Sequence, residues 1–207
     1  ATRVLRRIPA GPNGCGDSRC VSVHAALGDG RLLFLFFSTA HGFEPWITDG
    51  TRAGTRLLRD ISPGADGSVP TDMAPLRPGR VLFGASAPAT GGELWISDGT
   101  RAGTRLLRDI NPGPGSSSPG GMTALGDGRA IFAATLPETG RELWITDGTR
   151  AGTRQVRDIV PGTGTSIPRL FTALGDGRAV FVAFTDATGL EPWVTDGSAG
   201  GTRLLRD

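Results

Sequence analysis

The chain has 207 residues, a formal net charge of +2 and 33 glycines and 15 prolines. That is room for one large all-β domain or two small ones, and it leaves little room for helices, since no apolar 3.6-residue period of useful length survives the glycines and prolines. All 22 basic residues are arginine, but they are interspersed with Asp and Glu rather than clustered. That excludes the dense, aromatic-studded basic surface that nucleic acid demands. The most apolar run, Leu32 to Phe37, has the length of a strand and is far too short to cross a bilayer as a helix, so no membrane insertion is expected.

In chain order, residues 1–8 (Ala-Thr-Arg-Val-Leu-Arg-Arg-Ile) come first and match Gly54 to Ile61. They read as a surplus copy of an outer strand. Cys15 and Cys20 follow, with no second pair and no histidine cluster to complete a zinc site. A local disulfide closing a small loop is expected, and with it an oxidising compartment. No signal peptide is visible and the chain begins in mid-repeat, which reads as a mature form or an excised segment.

From there one pattern recurs. Tryptophans stand at Trp46, Trp95, Trp144 and Trp193, always 49 residues apart. A fixed period in this range signals a propeller, solenoid or array. Each repeat offers four strands. The first runs around Val21 to Leu27, Thr71 to Leu76, Gly121 to Leu125 and Leu170 to Leu174. Turns such as Gly28-Asp29-Gly30 follow, with the positive-φ glycine that a tight hairpin requires. The second strand carries Phe34, Phe83, Phe132 and Phe181 and is apolar at successive positions, as a strand buried on both faces should be. The third holds Trp. The fourth, beginning at Thr55 and its equivalents, ends in a Pro/Gly/Ser linker, the longest connection of the unit. Short turns within a unit and a long return between units predict an all-β fold, a four-bladed β-propeller with four antiparallel strands per blade. The repeats lie at about 1–60, 61–109, 110–158 and 159–207 of a single domain.

If the loop after the third strand closes between Ile47 and Arg56, Trp46 faces Leu57 and Glu44 faces Arg59. The same arithmetic pairs Glu93 with Arg108, Glu142 with Arg157 and Glu191 with Arg206. Opposite charges so placed would contribute a few tenths to about 1 kcal/mol per pair.

The repeated segment Glu-Leu-Trp-x-x-Asp-Gly-Thr, close at Glu93 to Thr100 and at Glu142 to Thr149, resembles the bacterial ELWxxDGT-repeat proteins. The first and last copies carry Pro45 and Pro192 in place of leucine, and the last has Ser198 in place of threonine. The resemblance spans essentially the whole chain. It implies a propeller-like fold and a secreted or cell-surface location, and no defined activity.

Candidate functional groups follow from the repeats. The four tryptophans read either as sugar-stacking platforms or as core wedges between blades, with the core reading favoured by their apolar area. Asp49, Asp98, Asp147 and Asp196 read as capping their own turns. Calcium is the alternative, although each turn offers only one carboxylate. No cofactor is otherwise implied. His24 and His41 have no counterparts in the other repeats and read as structural or surface residues. The expected function is non-enzymatic: binding or adhesion toward a glycan or protein ligand at the bacterial surface. The alternative is a structural subunit that self-associates head-to-tail through the surplus terminal strand. A hydrolase on a propeller scaffold ranks third.

Overall fold

The computed structural model describes residues 24–206. The cysteine pair Cys15 and Cys20, the surplus strand at 1–8 and the start of the first strand lie outside them. Sixteen strands form four sheets. Blade 1 is β1 (His24–Ala26), β2 (Leu32–Ser38), β3 (Gly42–Thr48) and β4 (Arg56–Leu57). Blade 2 is β5 (Thr71–Arg77), β6 (Arg80–Ala87), β7 (Gly91–Ser97) and β8 (Arg105–Arg108). Blade 3 is β9 (Gly120–Ala124), β10 (Ala130–Leu136), β11 (Gly140–Thr146) and β12 (Arg154–Arg157). Blade 4 is β13 (Arg169–Ala173), β14 (Ala179–Thr185), β15 (Gly189–Thr195) and β16 (Arg203–Leu204). Every sheet is an antiparallel meander in chain order. The architecture is a four-bladed β-propeller.

The second strands of blades 2 and 3 are apolar without alternation because these blades have two buried faces. Phe83, Val81, Ala85 and Trp95 of blade 2 point back, onto Leu33, Leu35, Ile47, Leu58 and Ile61 of blade 1. Leu82, Leu94, Ile96 and Leu107 of blade 2 point forward, onto Phe132 and Trp144 of blade 3. Leu125, Ile131, Leu143 and Val156 do the same toward Phe181 and Trp193 of blade 4. The core is thus divided among three inter-blade layers. The inner strands pack in succession, β1 on β5, β5 on β9 and β9 on β13. Among the described residues no fourth apolar cluster joins blade 4 to blade 1.

The expected hairpin register holds at tryptophan. Trp46 pairs with Leu57, Trp95 with Leu106, Trp144 with Gln155 and Trp193 with Leu204. The charge pairs do not form. In blades 2 and 3 a bulge follows, so that Arg108 stands opposite Leu94 and Arg157 opposite Leu143. In blades 1 and 4 the ladder stops at Trp46 and Trp193, just beyond Pro45 and Pro192, which have no N–H to extend it. A bulge adds one residue on one strand, and that single slip moves the glutamate and the arginine to different neighbours. Among the described residues none of Glu44–Arg59, Glu93–Arg108, Glu142–Arg157 and Glu191–Arg206 is an ion pair.

Candidate functional site

The four tryptophans belong to the core. They are 5, 5, 3 and 7% exposed at Trp46, Trp95, Trp144 and Trp193. Trp95, Trp144 and Trp193 lie in the three inter-blade clusters. A sugar cannot stack on a ring with no free face, so the platform reading is overturned.

Three of the four arginines that fail to meet glutamate clamp the next blade instead. The guanidinium carbons of Arg59, Arg108 and Arg157 lie 5.8, 5.9 and 6.0 Å from the ring centroids of Trp95, Trp144 and Trp193. Arg157 also donates to the Thr202 carbonyl at 2.7 Å, and Arg59 and Arg108 donate likewise to the carbonyls of Thr104 and Thr153. Each clamp therefore combines a cation–π contact with a charge-assisted hydrogen bond.

The glutamates turn to the linker that leads into the next blade. Glu142 Oε1 accepts from Ser166 N–H at 2.8 Å, and its Oε2 accepts from Ile159 N–H at 2.9 Å and from Ser166 Oγ at 2.7 Å. Glu93 receives the N–H of Ile110 and Ser117 and the Ser117 hydroxyl, all at 2.6–2.8 Å. Glu44 receives the N–H groups of Ser62 and Ser68 and the Ser68 hydroxyl. Burial pushes all three carboxyls above their ordinary value, against the pull of these donors. Glu191 is only half buried, and no described residue donates to it.

The aspartate turns are closed hydrogen-bonded units. Asp147 Oδ1 accepts from Thr149 N–H at 2.8 Å and from its hydroxyl at 2.7 Å. Asp49, Asp98 and Asp196 each accept in the same way from the residue two positions on. These bonds hold Asp49, Asp147 and Asp196 below the ordinary carboxylate value. The same direction holds at Asp98, where burial opposes it. Beneath the turn Thr146 and Thr153 share a buried hydroxyl pair at 2.7 Å. A Cβ added at Gly152 would stand 2.2 Å from the Asp147 carboxyl, which explains the glycine in each Thr-Arg-Ala-Gly-Thr segment. Among the described residues no three His, Cys, Asp or Glu converge as metal ligands. His24 is exposed at the start of blade 1. His41 Nδ1 lies 2.9 Å from Asp60 Oδ2.

No recurring motif announces a recess where two unrepeated charges meet. A cleft of about 320 Å³ opens between blades 2 and 3, lined among others by Thr71, Asp72, Ser86, Ser116, Gly120 and Arg141. Asp72 is exposed and has φ +47°, a left-handed backbone that costs a non-glycine residue on the order of 1 kcal/mol or more. Its Oδ2 accepts from Gly121 N–H at 3.1 Å. Arg141 donates to the Ser118 carbonyl at 2.7 Å, and burial lowers its guanidinium from the ordinary value against the opposing charge of Asp72. A Cβ at Gly120 would lie 3.0 Å from Asp72 Oδ2 and 3.1 Å from Arg141 Nη2, so the two charges converge over a missing side chain. The repeat places Gly121 and Leu170 where Asp72 stands, and Gly92 and Leu190 where Arg141 stands.

No family model and no curated protein sequence matches the chain. Solved structures do. A puromycin hydrolase mutant, crystallised as a complex, aligns with TM-score 0.58 and 17% identity over 87% of this chain and 28% of its own. TolB from Agrobacterium tumefaciens aligns with TM-score 0.52 and 12% identity over 86% and 61%. One of two prolyl endopeptidases studied for their inter-domain dynamics aligns with TM-score 0.54 and 18% identity over 85% and 24%. At such identities the likeness is one of fold. The chain spans between a quarter and three fifths of the length of these proteins.

Proposed function

We propose that this propeller is a non-enzymatic binding module of a bacterial surface or secreted protein, and that a glycan occupies the cleft between blades 2 and 3. The observation that carries the reading is the convergence of Asp72 and Arg141 over Gly120, at the interface of blades 2 and 3. A carboxylate that accepts and a guanidinium that donates suit adjacent sugar hydroxyls, each of which does both. The serine and threonine hydroxyls on the wall extend the same chemistry, and the volume fits a small saccharide. Catalysis is less well supported. Three of the four repeated glutamates, Glu44, Glu93 and Glu142, are buried and bonded to linkers rather than open to a substrate, and the residues lining the cleft include no histidine or cysteine. Membership of the ELWxxDGT-repeat proteins, and the surface location it implies, belong to the same proposal.

The test is a glycan array with wild-type protein, Arg141→Ala and Gly120→Ala. Binding that at least tenfold weakens in both variants, with unchanged thermal stability for Gly120→Ala, supports the cleft. Binding that survives both, or no glycan bound at any density, sinks it.

A further inference from the structure

Blade 4 presents a forward face that no apolar cluster of the described residues covers. At the positions where blade 2 buries Leu76 and Leu107, at 4 and 2% exposure, blade 4 has Leu174 and Leu205 at 47 and 48%. Phe184 and Leu190 add two more exposed apolar side chains to the same face, where blade 2 has Ser86 and Gly92. A terminal repeat that only caps an array has a polar outer face. This one is more apolar than the internal blades, and a contiguous exposed apolar face marks an interaction site.

Two polar groups on this blade specify the occupant. Glu191 is the counterpart of Glu44, Glu93 and Glu142, each of which takes up donors from the linker that follows, including a serine 24 residues on. Arg206 is the counterpart of Arg59, Arg108 and Arg157, each of which stacks on the next tryptophan and holds a threonine carbonyl of the next blade. Glu191 and Arg206 have neither partner among the described residues, and Arg206 is exposed. We infer that the forward face of blade 4 is built to receive a fifth blade of this same repeat, joined in series, with a Phe–Trp pair against Leu174 and Leu205, a threonine carbonyl for Arg206 and a linker serine for Glu191. A second copy of the chain does not supply this occupant through its blade 1. There Trp46 is 5% exposed, and both Trp46 and Thr55 are already engaged.

The experiment extends the chain after Asp207 with a copy of residues 110–158, which continues the 49-residue register and places a serine 24 positions beyond Glu191. The expected result is a fifth tryptophan no more accessible to acrylamide than the native four, and a raised urea midpoint. Glu191→Gln, neutral in the original chain, then becomes destabilising in the extended one, and Leu205→Glu abolishes both gains. A fifth repeat that stays protease-sensitive beside four folded blades overturns the inference. So does light scattering that shows the original chain dimerising through this face, in a manner lost in Leu205→Glu, because the occupant is then a second copy. Neither readout depends on glycan binding at the cleft.

Discussion

Replacing Glu142 with glutamine asks whether the linker lock holds the blades. The carboxylate accepts with both oxygens, from two backbone N–H groups and one hydroxyl, and the side chain is fully buried. Glutamine keeps the shape and offers one acceptor. Its amide nitrogen must then face an N–H of Ser166 or Ile159, and neither can turn around as a hydroxyl can. One buried donor loses its partner, at a cost of about 1–3 kcal/mol. For a domain of this size that lowers Tm by about 2–4 °C for each kcal/mol. The assay is urea unfolding at neutral pH, with Glu191→Gln as the internal control. That control makes the same chemical change on a half-buried residue with no described donors, and should stay within about 0.5 kcal/mol of wild type. If Glu142→Gln is as harmless as Glu191→Gln, the carboxyl is protonated at neutral pH or the lock contributes nothing, and the reasoning fails.

The raised carboxyls give a sign to the pH dependence. Glu44, Glu93 and Glu142 rise from 4.5, so the folded chain keeps their protons where the unfolded chain has lost them. Their contribution is full below 4.5 and declines as pH climbs through the folded values. Asp49, Asp98, Asp147 and Asp196 fall from 3.8, and theirs is lost as pH drops below that. Urea midpoints should therefore decline on both sides of about pH 4–5, and the alkaline limb should flatten when all three glutamates become glutamine. Trp144→Ala should cost about 3–5 kcal/mol by calorimetry while glycan binding by the protein that remains folded is unchanged, the reverse of what a platform would show. Gly152→Ala should destabilise by more than the change in an open turn, since its methyl would press on the Asp147 carboxyl. A neutral result in thermal melts would show that the aspartate is free to move away.

The blades were legible because burial on two faces leaves apolar runs, and because Trp46, Trp95, Trp144 and Trp193 keep one period. The hairpin register at tryptophan followed from loop length. Counting residues along two strands cannot reveal a bulge, and so the glutamate and arginine partners were misassigned. A signal was present: Ser68, Ser117 and Ser166 each stand 24 residues after a glutamate, in linkers otherwise variable. Such serines in a polar linker look like loop composition until the fold brings the linker under the hairpin. The cleft was harder to find, because Asp72 and Arg141 are departures from the repeat, and a search for recurrence discards them.

The division of the core into three layers has a kinetic consequence. Each layer joins only two neighbouring sheets, so stability is a chain of nearest-neighbour couplings rather than one indivisible transition. Among the described residues blades 2 and 3 are coupled on both sides, blades 1 and 4 on one. Opening should therefore start at the two outer blades, and amide hydrogen exchange should run fastest in β1–β4 and β13–β16 and slowest in β6 and β10, a gradient of local unfolding that falls toward the middle of the sequence.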